Sequence, residues 1–169
     1  MTDLDVILRL GTATLIGAAV GLNRDLHGKP IGVRTLGLVG LASAIAVLAV
    51  APGEGARSVD ATARVIQGVL TGIGFLGAGV IVRRTVGKQV HGLTSAACAW
   101  TTACLGLVCG LAAWPIVATG VVLVFVLLIF GGPFERMCQR WLAHFRAAEE
   151  PETAAQADAS AQQRTDGQS

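Results

Sequence analysis

Residues 65–82 read VIQGVLTGIGFLGAGVIV, a run without a single charged side chain. Two readings compete for it. Gly72, Gly74 and Gly77 have the spacing of a dinucleotide-binding turn. That turn works only between a strand and a helix, with an acid about 20 positions later to hold the ribose. The next acid after Asp60 is Glu135, so the nucleotide reading fails. What remains is an apolar segment close to the roughly 20 residues a helix needs to cross a hydrocarbon core about 30 Å thick. Its glycines suit close helix packing. Gly68 and Gly72, like Gly17 and Gly21, are four residues apart, the small-xxx-small pattern that lets membrane helices approach.

The rest of the chain agrees. Of 169 residues 53% are hydrophobic and 14% charged, against roughly 25% charged in an average soluble domain. The 22 glycines in 169 residues come to about 13%, nearly twice the average usage of about 7%. No Asp or Glu stands between Asp60 and Glu135, a gap that a water-facing surface would not leave. A net charge of +2 with scattered basic residues gives no nucleic-acid surface.

Five stretches approach spanning length: Leu4 to Leu22, Val33 to Ala51, Val65 to Val82, Thr94 to Ala112 and Pro115 to Gly131. The last two, separated only by Ala113 and Trp114, would if continuous make a helix of roughly 55 Å, so the chain is expected to turn near Trp114-Pro115, where proline breaks the helix. The fold class is therefore an all-α integral membrane bundle of about five transmembrane helices over residues 1–132. Basic residues cluster in the first loop (Arg24, Lys29, Arg34), the third loop (Arg83, Arg84, Lys88) and the C-terminal segment. The positive-inside rule then predicts an outside N-terminus and a cytoplasmic C-terminus. Asp3 and Asp5 stand where a signal peptide would be positive, so the first helix is expected to be retained.

In residues 133–146, Phe134, Met137, Cys138, Trp141, Leu142 and Phe145 recur at helical spacing, as in an interfacial amphipathic helix. Residues 147–169 are polar and aperiodic, the composition of a disordered cytoplasmic tail. Cys98, Cys104, Cys109 and Cys138 show no metal-ligand spacing and are expected as free thiols, mostly buried. His27, His91 and His144 are dispersed. No nucleophile, base and orienting group occur together, so an enzyme is not expected, and no cofactor or metal site is assigned.

The polar residues near the third span are more informative. Asp60, Arg64, Gln67 and Thr71 fall on one helical face, which Gly74 and Ala78 continue. Such groups inside a membrane usually face protein or water. The plainer alternative is an Asp60–Arg64 ion pair that only fixes the helix end. Thr94, Cys98 and Thr101 form a second stripe, which either meets the first or bonds its own backbone. Arg9 is read as snorkelling to Asp5.

At these residues the chain resembles the MgtC/SapB family of bacterial membrane proteins. The resemblance lies in Gly21-Leu22-Asn23-Arg24-Asp25, in Lys29-Pro30-Ile31-Gly32-Val33-Arg34-Thr35, and in Asp60 with Arg64 and Gln67. It continues through Gly72-Ile73-Gly74-Phe75-Leu76-Gly77-Ala78-Gly79 and Gly92-Leu93-Thr94-Ser95-Ala96-Ala97. The family motif is thus carried here by Arg24, Asp25, Lys29, Pro30, Gly32, Arg34, Thr35, Gly72, Gly74, Phe75, Gly77, Gly79, Gly92 and Thr94. Two departures stand out: Asn23 replaces one of two acids that usually flank the arginine, and His91 stands where a basic residue is usual. Longer relatives carry a folded cytoplasmic C-terminal domain, for which the polar tail here is too short.

The resemblance implies a bacterial inner-membrane protein linked to magnesium homeostasis, adaptation to low magnesium and, in some pathogens, growth inside macrophages. The partners it implies are the lipid bilayer and other membrane proteins, the F-type ATP synthase among them, with a homo-oligomer as a further arrangement. Two mechanisms remain open from the residues: a regulator that binds membrane proteins through its glycine faces, or a magnesium or other ion transporter with Asp25 and Asp60 at the pore mouths. Magnesium usually needs one or two carboxylates. None lies in the apolar core of a span, which favours the regulator.

Overall fold

The computed structural model describes residues 2–50, 56–82, 92–132, 137 and 141. Among them all regular structure is helical, in five principal helices: α1 (Asp3–Leu26), α2 (Val33–Leu48), α3 (Ala56–Val82), α4 (Leu93–Gly110) and α5 (Trp114–Gly132). Four contain segments long and apolar enough to cross a membrane: α1, residues 59–81 of α3, α4 and α5. The protein is an all-α integral membrane protein. At 16 residues α2 is the short member.

Local chemistry explains the ends. Thr2 caps α1, its hydroxyl accepting from the Asp5 amide at 3.4 Å, while Asp3 and Asp5 complement the positive end of the helix dipole and Arg24 the negative one. Two sequence boundaries need correction. Helix α3 starts at Ala56, well before Val65, so Asp60 and Arg64 belong to its early turns instead of preceding the span. The turn after α4 lies at residues 111–113, with Ala112 in the left-handed region at φ 56°. Pro115 does not break a helix but sits in the first turn of α5, where its missing N–H has no intrahelical partner to lose.

The chain divides into two compact units, Met1–Phe125 and Val126–Ser169. In the first, α2 packs against both α1 and α4, α1 and α4 also touch, and α3 rests mainly on α4. Ala13, Ala44, Cys109 and Val117 form a core cluster, flanked by Leu10, Ile16, Val108 and Val121. Such small side chains permit helix contact at backbone distance. A Cβ on Gly21 would stand 2.6 Å from Val33 Cα, one on Gly40 2.5 Å from the Ala13 carbonyl oxygen, and one on Gly110 2.9 Å from the Ala44 carbonyl oxygen. Gly17 and Gly21 therefore pack as their spacing predicts, with α1 lying directly on the start of α2.

Gly68 and Gly72 do not follow them: a Cβ on either, or on Gly74 or Gly79, would meet nothing within 4 Å. The same motif is buried on α1 and bare on α3. Cys98 and Cys109 are buried and Cys104 half-buried, all three as free thiols; Cys138 lies outside the described residues. In the second unit, residues 126–132 are helical. Of the expected surface helix at 133–146 only Met137 and Trp141 are described, both helical and exposed. The remainder of that helix and the expected tail, 147–169, lie outside the described residues.

Candidate functional site

The connection between α1 and α2 gathers much of the family motif. Arg24, in the last turn of α1, is buried to 7% exposure and donates from Nη2 to Ser95 Oγ of α4 at 2.9 Å, while its Nε is buried without a partner. Its neighbour Asp25 turns the other way. The Asp25 carboxylate accepts the Val33 amide at 2.9 Å and so caps α2, whose own N-cap residue, Gly32, has no side chain to do it. Glycine at position 32 leaves room for this, since a Cβ there would strike the Asp25 carboxylate and displace it from its present place. The connection is also conformationally unusual: Gly28 has φ 60° and Ile31, a β-branched residue, φ 67°. His27 donates Nδ1–H to the Asn23 backbone carbonyl at 2.7 Å.

Arg9 does more than snorkel. It holds Asp5 through Nε at 3.0 Å and Nη2 at 2.7 Å, and donates from Nη1 to the Gly110 carbonyl at 2.8 Å. Arg9 and Arg24 are fifteen residues apart on α1, and their partners Ser95 and Gly110 fifteen apart on α4. The two arginines thus pin α1 against an antiparallel α4 at both ends and fix one register. In the sequence Ser95 stands out only as part of the Gly92–Ala97 block, without a role of its own, and Gly110 does not stand out at all. A usable signal existed: arginine has five donors, and the last carbonyls of α4 have no intrahelical partner.

The predicted stripe on α3 is real as a face and solitary as a site. Asp60, Arg64, Gln67 and Thr71 are all exposed, as are Gly74 and Ala78, and Ile73 and Gly77 are buried on the opposite side, where a Gly77 Cβ would meet Ala96 at 3.5 Å. The single ion pair among the described residues is Arg9–Asp5, so Asp60 and Arg64 do not pair. Thr71 bonds the Gln67 carbonyl and Thr101 the Ala97 carbonyl, both at 2.8 Å, as hydroxyls satisfied by their own helix. Thr94 is exposed and Cys98 buried, and the α4 stripe does not join that of α3. Gly92 has a different task, holding φ 99° as the N-cap of α4 beside the Val80 carbonyl.

A cleft of about 640 Å³ opens beside this face, lined by Pro30, Ile31, Thr35, Phe75, Leu76, Gly79 and Val80. It lies between the start of α2 and the last two turns of α3. Phe75, at 82% exposure, stands at its edge. Lys29 and Arg34, which flank the lining residues of the connection, are exposed. Among the described residues no group of three or more His, Cys, Asp or Glu could hold a metal ion.

The sequence model of the MgtC family matches residues 10–137. The chain belongs to the MgtC family. It is 41% identical to Protein SrpB of Synechococcus elongatus over 143 residues, covering 79% of this chain and 77% of SrpB. Protein MgtC of Salmonella typhimurium is 40% identical over 105 residues, 62% of this chain and 43% of that protein. YhiD of Escherichia coli, whose name makes it a candidate magnesium transporter, is 37% identical over 111 residues, 63% of this chain and 51% of YhiD. The chain thus spans about half the length of these last two relatives. No solved structure matches it. Within the MgtC-family region, the matched motif residues divide into two groups. Arg24, Asp25, Gly32 and Gly92 build the helix ends, whereas Phe75, Gly79 and the α3 stripe remain open.

Proposed function

We propose that this MgtC-family protein serves magnesium homeostasis in the bacterial inner membrane as a regulator, binding another membrane protein through the outward face of α3 without conducting the ion. One observation carries the reading. Opposite the buried side of α3, Asp60, Arg64, Gln67 and Thr71 lie exposed beside bare glycine backbone at 68, 72 and 74. Polar and ionisable groups are costly against lipid and usually face protein or water, and small residues mark surfaces where another helix can approach. A second membrane protein answers both requirements. The resemblance makes the F-type ATP synthase one partner to test. No enzymatic step is assigned to this face.

The transporter reading draws on the name of YhiD and would place Asp25 and Asp60 at pore mouths. Asp25 is already engaged as the cap of α2, which favours the regulator. Proteoliposomes and low-magnesium growth separate the two. The regulator predicts no magnesium uptake by the wild type, weakened growth in Arg64→Ala and a smaller defect in Asp60→Asn. Saturable uptake by the wild type that vanishes in Asp60→Asn would replace the regulator with a transporter.

A further inference from the structure

We infer that the cleft between the start of α2 and the end of α3 is a binding site for one anionic phospholipid, its phosphate held at Lys29 and Arg34 and an acyl chain lying against Phe75, Leu76 and Gly79. The site is distinct from the α3 stripe, and the inference does not depend on the proposed partner.

Shape and charge argue together. The cleft, at about 640 Å³, falls within the usual size of small-molecule pockets, and apart from Thr35 its lining side chains are apolar. Phe75 and Gly79 are one helical turn apart, about 6 Å along α3, so the apolar wall runs along the helix as an acyl chain would. Gly79 deepens it, since nothing lies within 4 Å of the position its Cβ would take. At the mouth the charge is one-sided. Residues 24–35 contain Arg24, Lys29 and Arg34 against a single acid, Asp25, whose carboxylate is occupied by the Val33 amide. Lys29 and Arg34 remain exposed on either side of Pro30 and Ile31. A basic rim above an apolar groove between membrane helices is the chemistry that holds an anionic headgroup. It stands at the end that the positive-inside rule predicts to be cytoplasmic. A neutral lipid would satisfy the groove and leave the two cations unanswered.

The test uses the full chain purified in a nonionic detergent and titrated with dioleoyl phosphatidylglycerol or dioleoyl phosphatidylcholine, with bound lipid counted by native mass spectrometry. The wild type should bind one phosphatidylglycerol at least tenfold more tightly than phosphatidylcholine. Joint replacement Lys29→Ala and Arg34→Ala should remove that preference. Gly79→Leu, which adds a side chain to the groove wall at a position whose Cβ would meet nothing within 4 Å, should weaken phosphatidylglycerol binding about tenfold or more. Gly11→Leu, also into open space but on α1, should leave it unchanged. Equal affinity for the two lipids in the wild type would overturn the inference, as would wild-type binding by Gly79→Leu. The charge variants alter only exposed residues, so they decide the matter even if Gly79→Leu misfolds.

Discussion

Adding one methyl group at Gly40 should unfold this protein far more readily than adding one at Gly72, although both are mid-helix glycines in apolar surroundings. The Gly40 methyl carbon would sit 2.5 Å from the Ala13 carbonyl oxygen and 3.3 Å from its carbon, with Thr102 Cγ2 at 3.6 Å beyond. A helix carbonyl cannot rotate away. Relief to the ordinary C···O separation of about 3.3 Å requires α1 and α2 to part by roughly 0.8 Å. Gly17 and Gly21 lie on the same seam, so the separation also loosens their contacts. A radial gap of that size forfeits about a quarter to a half of the dispersion attraction. Overpacking costs about 1 to 3 kcal/mol, and a backbone obstacle places Gly40→Ala in the upper part, about 2 to 3 kcal/mol, or roughly 30- to 140-fold in the folded ratio. At Gly72 nothing is struck, and alanine's helix preference gives between zero and about 1 kcal/mol of stabilisation. Unfolding in bicelles by added dodecyl sulfate, followed by far-ultraviolet circular dichroism, compares the two with the wild type. If Gly40→Ala lies within about 0.5 kcal/mol of the wild type, or Gly72→Ala falls as far as Gly40→Ala, the packing argument is refuted.

Other expectations follow from the same geometry. Ser95→Ala removes one interhelical hydrogen bond to Arg24 and should cost about 0.6 kcal/mol and not more than about 1.7, as such bonds do in membranes; a larger loss in the same unfolding assay would mean Arg24 depends on Ser95 for more than one bond. Arg9→Lys should keep the tie to Asp5 but lose the one to Gly110, so a cysteine pair across the α1–α4 seam should crosslink less selectively in the variant; unchanged selectivity would remove Arg9 from setting the register. In a background without the four native cysteines, Val50→Cys should react with an impermeant thiol reagent in intact cells and Lys29→Cys should not; the reverse pattern would invert the predicted orientation. Gly72→Leu should leave the isolated chain folded yet reduce recovery of a crosslinked partner and low-magnesium growth, and normal growth would count against the α3 face.

The all-helical membrane fold was legible because it rests on properties that survive without coordinates: length of apolar runs, absence of acids and glycine spacing. The α3 stripe was legible for the same reason, since helical periodicity alone places Asp60, Arg64, Gln67 and Thr71 together. Contacts between helices were not. Gly17-xxx-Gly21 and Gly68-xxx-Gly72 are identical as patterns, yet α2 covers the first and nothing among the described residues covers the second. Asp25 reads as a motif acid, but its work as a cap depends on the fold placing the Val33 amide within reach and on Gly32 leaving room for the carboxylate. The turn after α4 was expected near Trp114-Pro115 and lies at residues 111–113, because proline, read as breaking a helix, is tolerated in the opening turn of the next one.

The bond from Arg9 to Gly110 also bears on how the protein is made. Arg9 enters the membrane with the first helix, a hundred residues before its carbonyl partner exists. Asp5, one turn away and paired with Arg9 in the folded chain, is made before it and is expected to neutralise the guanidinium in the interval. When α4 arrives, a donor not used by Asp5 is still free to take the Gly110 carbonyl. Asp5 is thus expected to serve as a placeholder during synthesis. Removing it should harm insertion of the nascent chain more than it harms the finished protein, a difference that pulse-labelling of newly made chains would detect.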